Sequence, residues 1–236
     1  MSFLKAEWRK LAIANYVIDP SILKQYIPAG TELDFWEDRC YLSLVGFMFV
    51  NTRLLGIKVP GHVNFEEVNL RFYVKRLDQG EWKRGVVFLK DIVPRAALTF
   101  VANTVYKEHY ETLPMRHEWT EESQLRRVTY EWKKKSWQRF SVEAERSAKK
   151  MEPGGETEFI TEHYWGYAAL NDRHSNEYQV THPKWVHYPV LRHEMEVDYG
   201  AVYGAEFAFL NERETDSVML AEGSEITVES KRKISG

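Results

Sequence analysis

The chain is nearly without cysteine: Cys40 is its one example in 236 residues. No intrachain disulfide can form and no cysteine cluster can bind a metal. That count fits a reducing, cytoplasmic setting. Long apolar runs are missing too. None approaches the ~20 residues that cross a bilayer, and Met1 to Arg9 carries no apolar stretch behind a basic start. Neither a membrane partner nor a secretion signal is expected. Positive charge is not in excess, with a formal net charge of −3, which argues against a nucleic-acid partner. The run Lys133 to Lys135 reads as a charged hairpin turn offset by Glu131, Glu143 and Glu145. No P-loop, GxGxxG, GxSxG or HExxH pattern occurs. His182 and His187 do not make a compact zinc motif, even with His163 or His193 added. No metal and no other cofactor is expected.

What is present is ordinary globular material, 44% apolar and 28% charged, with a high aromatic share of 14%. Aromatics and valine favour strands and pocket walls. No internal repeat or low-complexity tract appears. Residues 1–236 read as a single domain, with Lys149 to Thr157, around Pro153-Gly154-Gly155, as a loop. Trp8 to Tyr16 fits either a short helix or a first strand. Asp19-Pro20-Ser21 starts a helical turn that Pro28-Ala29-Gly30 ends. Tyr41 to Val50 reads as a buried strand. Glu67 to Lys75 and Arg84 to Val93 read as a hairpin across Asp78-Gln79-Gly80. Arg95 to His109 has helical spacing. Val128 to Trp132 and Phe140 to Ala144 form a second hairpin. Glu158 to Tyr167 reads as a short helix, and Val197 to Leu210 and Glu225 to Glu229 as closing strands. Strands outnumber helices, and the pairing is mostly antiparallel.

The segment Glu67 to Val74 carries the most information. Alternate side chains of a strand point to opposite faces. Val68, Leu70, Phe72 and Val74 make one face wholly apolar; Glu67, Asn69, Arg71 and Tyr73 make the other able to hydrogen-bond throughout. Such a face lies either in water or along an internal cavity. Its mixture of acid, amide, guanidinium and phenol, flanked by Phe65 and by Val86 to Leu89, points to a cavity. There Arg71 presents a planar fork to a carboxylate or phosphate. Glu67, if dry, has a raised pKa and can act as acid or base.

These residues resemble a known family. Asn64 to Val74, Arg84 to Phe88, Asp198 to Gly204, Ala14-Asn15-Tyr16 with Asp19-Pro20, Leu42 to Phe47 and Ala221 to Ser224 resemble the YqjF-like family, domain of unknown function 2071. That family is related to the acetoacetate decarboxylase-like fold. The resemblance implies an α+β, β-rich chain: a curved antiparallel sheet or barrel around a central pocket, with a few peripheral helices. Decarboxylases of that fold use a pair of lysines after a proline for Schiff-base chemistry. Here Met115 and Arg116 follow Pro114, and neither can form an imine. No Schiff-base decarboxylation is expected.

Other candidates stand beside plainer alternatives. His62, after Pro60-Gly61, is at the pocket mouth or simply in solvent. Arg95, after Pro94, is a second cation for a ligand or a surface charge. Tyr199 and Tyr203, among Gly200 and Gly204, are a pocket wall or a corner of the sheet. Three functions follow. The first is a protein that binds a small anionic or carbonyl-containing molecule through Arg71, Asn69 and Tyr73. The second is an enzyme acting on a small organic acid or ketone with Glu67 as acid or base. The third is an interaction protein with a filled interior. A homo-oligomer stays open.

Overall fold

The computed structural model describes residues 2–236. The first half builds the wall that carries the site. β1 (Ser2–Val17) leads through a 3-10 turn at Pro20–Tyr26 to β2 (Glu32–Leu33), β3 (Tyr41–Leu54), β4 (Phe65–Asp78) and β5 (Glu81–Val93). The Asp19 carboxylate caps the 3-10 turn by accepting from the Ser21 amide. β4 and β5 turn back through Gln79 and Gly80, both at positive φ. That geometry matches the twist of a two-residue hairpin.

Next come α1 (Ala96–Val101), a π-helical extension at Ala102–Tyr106, β6 (Tyr110–Thr112), β7 (Met115–Glu121), β8 (Leu125–Lys133), β9 (Trp137–Glu145) and β10 (Lys149–Lys150). The rest comprises α2 (Glu156–Thr161), β11 (Trp165–Asn171), β12 (His174–Thr181), β13 (Val186–Tyr188), β14 (Val190–Glu196), α3 (Tyr199–Tyr203), β15 (Ser217–Glu229) and β16 (Arg232–Ser235).

The large sheet runs β15-β1-β3-β4-β5-β11-β12, and β12 pairs back onto β15, so the sheet closes into a ring. Closure depends on a parallel contact of β5 with β11, where Trp165 meets Gly85. A Cβ at Gly85 would lie 2.5 Å from the Trp165 carbonyl oxygen, so only glycine fits there. A second sheet, β14-β9-β8-β7, packs on the outside. Its Val128, Tyr130, Trp132, Phe140 and Val142 share one core with Val68, Leu70, Phe72 and Val74 of β4. The apolar face of β4 therefore points outward, into the contact between the two sheets. Its polar face points into the ring.

Of the two alternatives for Trp8 to Tyr16 the structure shows the strand, inside β1. Several sequence expectations further along the chain are corrected. The helix expected over Glu158 to Tyr167 stops at Thr161, because residues from Trp165 onward are drawn into the ring as β11. Val197 to Leu210 is not a strand. The Asp198 carboxylate accepts from the Ala201 amide and starts α3; Gly204, at φ +124°, ends it, and 3-10 turns follow at Ala205–Glu212. The helix from Arg95 stops at Tyr106, and Lys107 takes the left-handed conformation. No helix among the described residues is long and apolar enough to cross a membrane.

Candidate functional site

A cavity of about 280 Å³ opens inside the ring. An interior filled by side chains is therefore not what the structure shows. The cavity wall is mostly apolar and aromatic, including Trp8, Phe49, Phe65, Trp165 and Trp185. Phe49 stacks on Phe65 at 4.7 Å and His182 on Trp185 at 4.2 Å, so these surfaces are held rigidly. Ala97, Leu98 and Val101 of α1 and Ile160 and Thr161 of α2 complete the lining. His62 reaches it from the loop after β3.

The polar groups gather at one side. Glu67 and Arg71 of β4 line the cavity, and both are buried. Glu67 accepts from the Asn69 side-chain amide at 3.2 Å and from the Tyr110 hydroxyl at 3.2 Å. Burial drives its pKa up to about 7, although these hydrogen bonds and the charge of Arg71 oppose the rise. Arg71 has one long hydrogen bond, 3.4 Å from its Nη2 to the Ile160 carbonyl, its guanidinium lies over the Tyr73 ring at 5.6 Å, and its buried Nε has no partner.

Two further acids surround this pair. Asp91 is 0% exposed and neither of its carboxyl oxygens has a partner. Burial first, then the charges of Glu67 and Glu108, push its pKa well above the carboxylate range. Glu108 lines the cavity and accepts from the Tyr178 hydroxyl at 2.9 Å. Burial, reinforced by the charge of Glu67, pushes it up to about 8.

Local backbone features position these groups. Opposite β4, β5 carries a bulge: Leu70 pairs with Lys90 but Arg71 with Phe88, leaving Leu89 over. One extra residue resets the alternation. Phe88 therefore lines the cavity, Asp91 lies on the same side among the charges of Glu67, Glu108 and Arg71 without reaching the cavity wall, and Lys90 points out to the Val202 carbonyl. The left-handed Lys107 turns the chain so that Glu108 enters the ring. Asn103 then fixes β6 by bonding both the amide and the carbonyl of Tyr110, at 2.7 and 2.9 Å. Gly166 makes room for Tyr178, whose ring would lie 2.1 Å from an added Cβ.

A neutral imidazole stands nearby. His163 lines the cavity, with Nε2 3.2 Å from Asp34, which Arg84 holds at 2.6 Å. Burial lowers its pKa to about 4 against the pull of Asp34. Its buried Nδ1 has no partner.

The other expected residues are placed differently. Asn69 is buried behind Glu67, and the Tyr73 hydroxyl donates to Ser43 at 2.8 Å; neither is on the cavity wall. Arg95 is exposed at the start of α1. Tyr199 and Tyr203 lie in α3, packed in the outer core with the apolar face of β4, because α3 is a helix and not a strand of the ring. Tyr199 shares a hydrogen bond with Tyr16 at 2.9 Å. No lysine is on the wall among the described residues. Met115 and Arg116 stand on β7 of the outer sheet, where Arg116 pairs with Glu131 at 2.6 Å. No group of three or more His, Cys, Asp or Glu among the described residues is placed to hold a metal ion.

The sequence reading missed Asp91, Tyr110 and Tyr178, and gave Glu108 no role.

Comparisons with known proteins agree with this geometry. The family model DUF2071, described as "Uncharacterized conserved protein (COG2071)", matches residues 5–225. The "Uncharacterized protein YqjF" of Bacillus subtilis (strain 168) is 35% identical over 72 residues, a stretch covering 30% of this chain and 30% of that protein. Among solved structures, an acetoacetate decarboxylase-like enzyme from Sphingomonas wittichii RW1 superposes with a TM-score of 0.68 at 10% identity, over 100% of this chain and 94% of that one. The enduracididine biosynthesis enzyme MppR with HEPES buffer bound gives 0.70 at 12%, over 100% and 89%. Acetoacetate decarboxylase from Legionella pneumophila gives 0.66 at 12%, over 98% and 86%. At such identities the likeness is one of fold.

Proposed function

Because the chain belongs to the DUF2071 family and shares the fold of acetoacetate decarboxylase-like enzymes, we propose that it binds a small anionic or carbonyl-containing molecule inside the ring, with the ligand's oxygen at Arg71. One observation carries this reading. The Arg71 guanidinium is buried on the cavity wall, and beyond the Tyr73 ring at 5.6 Å it is met among the described residues by one long hydrogen bond and no ion pair. A buried cation without a hydrogen-bonded ion pair is costly. A ligand oxygen supplies what is missing, and a planar fork suits a carboxylate. The aromatic remainder of the wall suits an apolar body on the same ligand.

The test is a thermal-shift screen of carboxylates, 2-oxo acids, β-keto acids, aldehydes and acyl phosphates against the wild type, Arg71→Lys and Arg71→Ala. A ligand at a hundredfold excess over its Kd adds about 2.7 kcal/mol of stability. Stabilisation by at least one class, weakened in Arg71→Lys and lost in Arg71→Ala, is expected. Equal stabilisation of Arg71→Ala, or none in the wild type, would overturn the reading.

Glu67 favours a second reading, an enzyme acting on a small organic acid or ketone. A carboxyl titrating near 7 on a cavity wall is poised to give or take a proton at working pH. The lining offers no amine for an imine, so such an enzyme would work by proton transfer.

A further inference from the structure

The cavity holds two carboxylic acids, delivered by different elements. Glu67 comes from the middle of β4, Glu108 from the turn between the π-helical segment and β6. Each is buried, each lines the same space, and each accepts a hydrogen bond from a tyrosine that also lines it: Tyr110 for Glu67, Tyr178 for Glu108. Neither carboxyl forms an ion pair among the described residues. Arg71, on the same wall, is the nearby cation, and Asp91, beneath Glu67 and Arg71, is a third acid without partners.

We propose that Glu67 and Glu108 are a proton-transfer pair, one taking a proton from the carbon beside a carbonyl group and the other returning a proton further along the same conjugated system, while Arg71 holds the oxygen. This rests on the binding reading above and adds a reaction class to it, the 1,3-shift of a proton in an unsaturated carbonyl compound.

The step balances without any cofactor. Glu67, as carboxylate, removes a proton from the α-carbon. The C–H electron pair becomes the new C=C bond of a dienolate, whose oxygen takes the negative charge beside Arg71. Glu108, protonated, gives its proton to the γ-carbon; the oxygen's charge returns to restore C=O. Nothing is oxidised and nothing leaves. Glu67 ends protonated and Glu108 ionised, and exchange with solvent through the cavity mouth resets both. Assignment of base and acid follows from environment: the charge of Arg71 favours the ionised form of Glu67, whereas the charge of Glu67 favours the protonated form of Glu108. His163 is neutral, and Asp91, Tyr110 and Tyr178 all have raised pKa values, so Arg71 is the one group on this wall charged throughout that range.

The probe is 2-oxo-4-hexenoate in D2O, followed by ultraviolet absorbance for conjugation and by NMR for deuterium, with binding read separately as a thermal shift. The wild type should convert it to 2-oxo-3-hexenoate faster than buffer, place deuterium at C5, and show a rate maximum between about pH 7 and 8. Glu67→Gln should lose at least 100-fold in isomerisation, the usual worth of a general base, with binding kept. Glu108→Gln should lose a similar factor yet still exchange deuterium at C3, because the base remains. Should Glu108→Gln fold poorly, Tyr178→Phe serves instead. It removes a donor that lowers the Glu108 pKa, so the alkaline limb alone should move up. Binding with isomerisation at the buffer rate overturns the pair and leaves the binding reading standing. So does full isomerisation in Glu108→Gln, or an unmoved alkaline limb in Tyr178→Phe. Failure of the probe to bind the wild type overturns both for this ligand class.

Discussion

Buried carboxylates occur in two places in this molecule, and they are treated in opposite ways. Glu177 on β12 is 0% exposed, yet three cations surround it: Arg76 at 3.3 Å, Lys83 at 3.6 Å and Arg232 at 2.5 Å. Asp78 shares the same three cations. The cluster ties the end of the β4–β5 hairpin to β12 and β16. Inside the ring, Glu67, Asp91 and Glu108 have a single cation among them, Arg71, and it lies within ion-pair distance of none of them among the described residues. Glu177 and the three cavity acids are out of water, while Asp78 is partly exposed. One set is neutralised by counter-charges and the other by keeping its protons. A fold able to assemble three cations around Glu177 leaves the cavity acids without them, and that asymmetry marks the cavity as the place where proton affinity is being set.

The comparison breaks most sharply at Glu177. Glu177→Gln removes a charge that three cations share; Asp78 still faces all three and they are partly exposed, so the loss is that of hydrogen bonds to a charged group, about 1.5–3 kcal/mol. A urea titration should show that loss at pH 7. Retained stability would mean that the cations relax into solvent and that the cluster is not structural.

The same substitution in the cavity should have the opposite sign. Glu67 titrates near 7 in the folded chain against 4.5 for an ordinary glutamate. The folded state therefore holds this proton more tightly than the unfolded state. Unfolding free energy falls as pH rises from about 4.5 to about 7; the penalty is absent below that window and complete above it. At about 1.4 kcal/mol per pKa unit, it reaches on the order of 3 kcal/mol. Glu67→Gln should thus stabilise the chain at pH 8 by up to that amount and have little effect at pH 4.5. Denaturation midpoints for both proteins across this range provide the check. A variant less stable than wild type at pH 8 would mean that Glu67 is ionised and well solvated there.

How much of this was visible in the sequence follows the local rules of chain geometry. Period-two alternation placed Glu67 and Arg71 on one face of β4 with nothing but residue types, because β4 is regular along that stretch and its hairpin turn at Gln79-Gly80 is a standard one. Asp91 was not visible, because alternation counted from Phe88 puts Lys90 inside and Asp91 outside. The bulge at Leu89 reverses that, and no residue type announces it. Glu108 was hidden in a helical pattern that breaks at Lys107, a non-glycine residue in a left-handed conformation. Tyr199 and Tyr203 were misplaced because four-residue spacing satisfies a strand face and a helix face equally well. The ring was implied by family resemblance and not by pattern, since β11 and β12 carry weak alternation and close it through one glycine contact.

The smallest effect is expected at Arg95, and it sharpens the meaning of Arg71. Both are arginines next to the same β4–β5 unit, and sequence alone nominated both as ligand cations. Arg95 is exposed and makes no side-chain cap to α1. Water already solvates its charge, so no unmet hydrogen-bonding capacity is waiting for a ligand. Arg95→Ala should change stability by less than about 0.5 kcal/mol and leave the Kd of any Arg71-dependent ligand unchanged in a titration at 0.15 M salt. At that ionic strength a distant surface charge is screened over roughly 8 Å. A tenfold loss of affinity in Arg95→Ala would place the ligand's anion at the cavity mouth instead of against β4, and Arg71 would then owe its lack of partners to something other than ligand binding.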